Sequence, residues 1–183
     1  MVSIALIRGR ARGIGSEIAL ACDMRFASIE RAILGQPEVG VGLVPGGGAM
    51  ERLPLLAGRA RALEIVLGAD DFDAVTAERY GWINRALPDA RLDAFVTGLA
   101  ERLASFDKQA LAEAKRIINR HALPDADDLN ATRSTFQGAF AWPGAKVRAM
   151  KLMELGIGTR SDLEMRFGDH LPGLAQEQAA PVG

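Results

Sequence analysis

The chain has 183 residues, with 22 Lys and Arg against 23 Asp and Glu, two His, one Cys and a formal net charge of −1. This charge balance argues against a nucleic-acid partner, because the chain has no basic excess to neutralise phosphates. The length and the 49% hydrophobic content predict one folded domain with a sizeable core. One Cys and two His form neither an internal disulfide nor a metal site, and apolar runs far below the ~20 residues that span a bilayer predict a cytoplasmic protein without a membrane partner.

The first 58 residues combine ten glycines with short apolar runs, a pattern typical of short buried strands joined by tight turns. Strands are predicted over residues 2–7, 24–27 and 32–34. Ser16 is predicted to cap a short helix over 17–22. Pro37 stiffens the turn that follows the third strand, and the glycines of residues 46–48 open a helix that extends to about residue 56.

Helical patterns dominate the remainder of the chain. Helices are predicted over 61–67, 92–103, 108–120, 127–140 and 145–155, with one further strand over 82–87. Asp73 and Gly81 have the types and spacing of an N-cap and a C-terminal glycine, which predicts a helix between them. In the 108–120 helix the apolar residues expected to face inward are Leu111, Ala114, Ile117 and Ile118. The tail after residue 175 is expected to fray.

Two glycine-rich turns, residues 13–15 and 45–48, each precede a predicted helix. The free N–H groups at such a helix start can hold a phosphate or a developing oxyanion. The first turn lacks the G-x-G-x-x-G fingerprint because Ile18 occupies the last position, and the second lacks the Gly-Lys-Ser/Thr ending of a P-loop. A nucleotide-binding α/β domain is therefore a weak alternative, and a plain turn role stays open for both segments.

Two carboxylates lie next to these turns. Glu17 falls in the first turn of its helix, where the helix dipole alone would explain an acidic residue. Glu38 follows the rigid turn at Pro37, where a solvated loop charge is the simplest explanation. Taken together, two carboxylates beside two donor-rich turns are the set that general acid–base catalysis next to an oxyanion hole requires.

The order of these motifs resembles the crotonase superfamily, the enoyl-CoA hydratases and isomerases. The matching runs are 7–17 (IRGRARGIGSE), 19–23 (ALACD), 34–38 (LGQPE), 42–48 (GLVPGGG), 52–53 (RL), 58–67 (GRARALEIVL) and 77–84 (AERYGWIN). Each run is unspecific alone, but seven in sequence at near-family spacing are a strong signal. The similarity is good over residues 2–120 and loose over the C-terminal helices.

The resemblance implies an enzyme that adds water across the double bond of a 2-enoyl-CoA thioester in fatty acid metabolism, with coenzyme A as part of the substrate and no separate cofactor. It assigns the catalytic carboxylates to Glu17 and Glu38. It also implies oxyanion and substrate-binding positions at Gly13, Ile14, Gln36, Pro37 and Gly46. The backbone N–H of Ile14 would hold the thioester oxygen, and Gln36 and Pro37 would aim Glu38.

The implied fold is an α/β crotonase-like core of ββα spiral type, N-terminally truncated, over residues 1–88. A C-terminal helical oligomerisation region over 89–183 would build homo-trimers or hexamers. The family carries a further segment before the strand at 2–7, which would supply the second oxyanion donor, so we expect that segment to be missing here.

Ile14 stands where the family usually has Gly. A β-branched residue is badly strained at positive φ, so we predict a negative φ at Ile14. Two further alternatives stay open at this stage: an isomerase of the same family, for which one carboxylate suffices, and a catalytically silent scaffold or oligomerisation subunit.

Overall fold

The structure is a computed structural model and describes residues 1–176. Its strands are β1 (Ile4–Ile7), β2 (Arg10–Arg12), β3 (Met24–Ser28), β4 (Ile33–Gly35), β5 (Asp71–Asp73) and β6 (Arg85–Leu87). Its helices are α1 (Ile14–Ala21), α2 (Ala49–Ala57), α3 (Arg59–Gly68), α4 (Ala74–Tyr80), α5 (Asp89–Ala104), α6 (Lys108–Ala122), α7 (Ala126–Ala139), α8 (Pro143–Glu154), α9 (Asp162–Met165), α10 (Phe167–His170) and α11 (Gly173–Gln176). The predicted fraying of the tail falls largely on residues 177–183, outside the described residues.

The strands form two small sheets. In the first, β1, β3 and β6 lie side by side in the order β1-β3-β6, all parallel, with Ile4 opposite Met24 and Phe26 opposite Arg85. In the second, β4 pairs in parallel with β2 and antiparallel with β5. Helices connect the parallel strands, as crossover geometry requires, and the result is a mixed α/β architecture.

The parallel pairing of β2 with β4 determines where the two candidate carboxylates lie. Arg12 and Gly35 are opposite each other at the ends of the two strands, and the Gly13 N–H extends the ladder to the Gly35 carbonyl at 3.0 Å. Parallel strands end at the same edge of a sheet. The segments that carry Glu17 and Glu38 therefore leave the sheet side by side, 21 positions apart in sequence.

One main core lies between the sheets and helices α1 to α4. Its largest fully buried side chains are those of Trp82, Leu34, Leu53 and Ile65. A second cluster packs the last described helices beneath α8, through Leu152, Leu163, Phe167, Leu171 and Leu174. The described C-terminal helices are thus part of the packed structure and not an appended tail.

Most of the predicted helices are present, and α4 is capped as expected. The Asp73 side chain accepts a hydrogen bond from the Thr76 N–H at 2.7 Å, and Gly81 ends the helix with φ 83°. The inward orientation predicted for α6 is wrong in part: Ile117 is 51% and Ile118 63% exposed. Ala114 is exposed as well, whereas Leu111 is half-buried on the side that also carries Lys115, whose ammonium pairs with Asp23 at 2.7 Å.

Two strands escaped prediction, because β2 and β5 are three residues long and polar. The predicted strand over 82–87 is shortened to Arg85–Leu87, since Trp82 and Ile83 are buried in the turn before it.

Across residues 1–176, the helices are all too short or too polar to cross a membrane.

Candidate active site

Helix α1 begins at Ile14 because Gly13 makes the sharp turn before it. Gly13 has φ 51° and ψ −122°, a backbone conformation that suits only glycine. Ala69 is the one non-glycine residue with positive φ in the described chain, so the predicted negative φ at Ile14 is confirmed. The turn places its strain on a glycine and leaves the β-branched residue in helical geometry.

The prediction that Ser16 caps α1 is wrong. The helix begins three residues earlier than predicted, with Gly13 at the N-cap position, and Ser16 lies inside it, fully buried. Its hydroxyl has no hydrogen-bond partner within the described residues. The sequence does not mark Gly13 as a cap, because glycine has no side-chain acceptor. The freedom of its backbone is nevertheless what this turn needs.

Glu17 reaches from the first turn of α1 to the start of α2. Its side chain is buried, at 4% exposure, and Oε1 accepts hydrogen bonds from the Gly47 N–H at 2.7 Å and the Ala49 N–H at 3.2 Å. These donors belong to the glycine-rich turn and the first residue of α2, where the helix dipole favours negative charge. The glycine-rich turn at residues 45–48 therefore binds the Glu17 carboxylate directly.

A side chain at position 47 would collide with this carboxylate. A Cβ there would lie 2.6 Å from Glu17 Oε2. The glycine is therefore required by the close approach of the backbone to the glutamate.

Glu38 follows Pro37 and precedes a 3-10 turn over Val39–Val41. Its side chain is buried, and Oε2 has no hydrogen-bond partner among the described residues. Burial, reinforced by the negative charge of Glu17, raises the pKa of Glu38 from the usual 4.5 to about 7. A carboxyl group with this pKa exchanges a proton near neutral pH, which is the property that a general acid or base needs.

A cavity of about 600 Å³ opens onto both carboxylates. Ile14, Glu17, Glu38, Gly46 and Gly47 line its floor, and α7 supplies the opposite wall through Leu129, Asn130, Arg133, Phe136 and Gln137. Arg52 also lines it and donates to the carbonyls of Gly47 and Gly48 at 3.3 Å. Carboxylates, backbone N–H groups and apolar side chains therefore meet in one concave site.

Helix α7 is held against the glycine turn and helix α2 by three contacts. The Thr132 hydroxyl hydrogen-bonds the Glu51 carboxylate of α2. The Phe136 ring covers Gly46 so closely that a Cβ at position 46 would lie 2.4 Å from it. Leu129 contacts Gly48 in the same way, at 2.9 Å from where a Cβ would be. These contacts fix α7 as the wall opposite the floor, which we call the roof of the cavity.

The structure divides the other predicted site residues into two groups. Ile14 and Gly46 line the cavity, and no acceptor for the Ile14 N–H exists within residues 1–176, as expected for the first turn of a helix. Gly13 lies behind the cavity: its N–H is bound to Gly35, and a Cβ on it would be 2.7 Å from Glu38 Oε1.

Gln36 and Pro37 do not line the cavity but lie directly before Glu38 in the chain. Gln36 is fully buried and both polar atoms of its amide lack a partner among the described residues. That these two residues aim Glu38 stays a prediction.

Sequence reasoning missed the wall formed by α7. Asn130, Arg133 and Gln137 recur at helical spacing, as many exposed helix faces do, so nothing local marks them as site residues. It also missed the Gly47 and Ala49 N–H groups as the partners of Glu17, because that contact joins segments 30 residues apart.

Taken together, the structure is an α/β fold in which two buried carboxylates and a helix start border one cavity. Comparison with known proteins then identifies the family. The model of the enoyl-CoA hydratase/isomerase family matches residues 1–142. The chain therefore belongs to this family, within the crotonase superfamily.

Individual relatives agree with this assignment. A Rhizobium meliloti protein named "Probable enoyl-CoA hydratase" is 40% identical over 139 residues, which cover 75% of this chain and 54% of the relative. The short-chain-enoyl-CoA hydratase of Clostridium acetobutylicum is 37% identical over 131 residues, 72% of this chain and 50% of the relative. The chain thus spans about half the length of the curated relatives it matches.

A solved structure confirms the predicted crotonase-like α/β fold. A Streptomyces avermitilis protein described as "a putative enoyl-CoA hydratase" superposes with a TM-score of 0.92 at 53% sequence identity, over 93% of this chain and 62% of that one. The division at residue 88 into a core and a helical oligomerisation region stays a prediction, and α7 shows that the second part also contributes to the cavity.

Proposed function

We propose that this protein hydrates 2-enoyl-CoA thioesters, with Glu17 and Glu38 as its catalytic residues. The observation that carries the proposal is their juxtaposition: both carboxyl groups are buried and both line the cavity that the start of α1 also borders. Family membership supports the substrate class, and the geometry supports the division of roles between the two groups.

The raised pKa of Glu38 suits the role of proton donor. Near neutral pH a substantial fraction of this carboxyl group is protonated. In the hydration direction it would deliver its proton to the α carbon of the thioester. Glu17, held by two backbone N–H groups at the start of α2, would accept a proton from the attacking water.

The reaction then balances without a further reagent. Water oxygen bonds to the β carbon as Glu17 takes its proton, and the π electrons shift through the α carbon towards the thioester oxygen. The resulting enolate takes the proton of Glu38 at the α carbon. Proton exchange between the two carboxyl groups through solvent restores the starting state.

Charge on the thioester oxygen must be stabilised while the enolate exists. The unpartnered N–H of Ile14 at the start of α1 is the donor assigned to this task. A donor of this kind is typically worth about 3 kcal/mol of transition-state stabilisation. Because the group belongs to the backbone, the Ile side chain at this position does not remove it.

Loss of the conjugated-thioester absorbance of crotonyl-CoA tests the proposal. We expect hydration by the full chain, and a loss of at least about a hundredfold in kcat for Glu17→Gln and for Glu38→Gln. Glu101→Gln, an exposed position on α5, is the matched control and should retain wild-type activity. Wild-type rates in both glutamine variants of the cavity would refute the assignment.

Assembly and location belong to the same proposal. Helix α8 exposes Val147 (49%), Met150 (65%) and Met153 (74%), an apolar surface compatible with the packing of trimers or hexamers. Light scattering tests this, since a clean monomer would contradict it. Action in fatty acid metabolism and a cytoplasmic location remain predictions from the sequence.

A further inference from the structure

The face of α7 that forms the roof of the cavity carries three polar side chains in register. Asn130, Arg133 and Gln137 are spaced at i, i+3 and i+7, which places them on one side of the helix, and all three line the cavity. We call this set the α7 polar strip. It faces the same space as Glu17 and Glu38.

The side chains of the α7 polar strip have no partners within residues 1–176. Arg133 is exposed and forms neither an ion pair nor a hydrogen bond with any described residue, including the two carboxylates of the cavity. The other arginine of the cavity, Arg52, is bound to two carbonyl groups. Arg133 is therefore the cation of the cavity wall that remains available to a ligand.

Neighbouring contacts fix the position of α7 on both sides of Arg133. Leu129, four residues before it, rests on Gly48, and Phe136, three residues after it, rests on Gly46. The adjacent Thr132 bonds Glu51. Arg133 therefore lines the cavity from an anchored helix and not from a loop, and its side chain is exposed to solvent.

We propose that the α7 polar strip binds a carboxylate at the far end of the substrate's acyl chain, with Arg133 as its specificity-determining residue. The preferred substrate class is then a 2-enoyl thioester of a dicarboxylic acid. A guanidinium flanked by amide side chains provides several donors in the arrangement that a carboxylate accepts. The inference rests on the proposed function, since it names the acyl group that the same cavity takes.

A phosphate of coenzyme A is the other anion that this substrate contains. The pantetheine arm separates the thioester from the phosphates by a long chain, whereas the α7 polar strip lines the cavity of the reacting carboxylates. The acyl end is therefore the anionic group that can lie close to both the strip and Glu38. The test below separates the two sources.

Two substrates of equal carbon count provide the test: trans-glutaconyl-CoA, which ends in a carboxylate, and trans-2-pentenoyl-CoA, which ends in a methyl group. We expect the wild-type chain to prefer glutaconyl-CoA in kcat/KM. Arg133→Gln should lower the ratio of the two kcat/KM values by about tenfold, the factor of one charge-assisted hydrogen bond. Arg91→Gln, an exposed arginine on α5 outside the cavity, is the matched control and should leave the ratio unchanged.

An unchanged ratio in Arg133→Gln would overturn the proposal. A fall by the same factor for both substrates, with weaker binding of free coenzyme A, would assign Arg133 to a phosphate and overturn it as well. If the wild-type chain hydrates neither thioester, the proposed function fails, and calorimetry with the unreactive glutaryl-CoA and pentanoyl-CoA decides the inference separately. A preference for glutaryl-CoA that Arg133→Gln abolishes supports it, and equal affinities in the wild-type chain contradict it.

Discussion

Replacing Glu38 with Gln removes a carboxyl group whose ionisation opposes folding. The pKa of Glu38 is raised from 4.5 to about 7 in the folded chain. Between these two pH values the folded chain retains a proton that the unfolded chain has lost, so stability falls as the pH rises through this window and stays lower above it. At about 1.4 kcal/mol per pKa unit, the full effect is roughly 3 kcal/mol of unfolding free energy.

Gln has nearly the same shape as Glu and does not titrate. The stability of the Glu38→Gln variant therefore does not fall as the pH rises through this window. Urea unfolding of both proteins at pH 5 and pH 8 measures the effect as a difference of differences, in which any change in packing cancels. We expect the unfolding free energy of Glu38→Gln, taken relative to that of the wild-type chain, to be higher at pH 8 than at pH 5 by roughly 2 kcal/mol or more. Glu101→Gln reports the general response to the loss of one acidic side chain. An equal Glu38→Gln difference at both pH values would refute the buried, pKa-shifted carboxyl group.

The same group and its surroundings support three further predictions. Because the proposed mechanism uses Glu38 as an acid, kcat/KM for hydration should fall as the pH rises above about 7, and a rate that is flat to pH 9 would contradict this role. Gly13→Ala should cost about 1–2 kcal/mol in urea unfolding and also lower activity, because its Cβ would meet Glu38. Gly58→Ala, with a similar φ and open space around it, should share the stability cost and keep the activity. Gly46→Ala should displace α7 and raise KM, an effect that adding Phe136→Ala should reverse; failure of that rescue would disprove the contact as its cause.

Local signals predicted those parts of the fold that depend on neighbouring residues. Asp73 and Gly81 define α4 because a cap and a left-handed turn are formed within one helix. The cap predicted at Ser16 rested on residue type alone. Tertiary packing buries Ser16 inside α1, and Gly13 occupies the N-cap position. The sequence pattern does not indicate the polar strand β5, because the strand is stabilised by pairing with β4, whose residues are far away in the chain.

The candidate site was predictable only as far as its motifs are local. Glu17, Glu38 and Ile14 could be proposed because each adjoins a glycine or proline turn with its own sequence signature. The carboxylate contact with Gly47 and the roof formed by α7 depend on packing between distant segments. For Arg133, the helical period fixes its neighbours on α7, and only the tertiary structure shows that this face meets the cavity.

Crotonyl-CoA incubated with the purified full chain in water enriched in oxygen-18 tests the central claim most directly. We expect the conjugated-thioester absorbance to fall, the oxygen-18 label to appear on the β carbon of the product, and Glu38→Gln to slow both changes by at least about a hundredfold. A folded chain that leaves the absorbance unchanged, or that forms product equally well without Glu38, would contradict it.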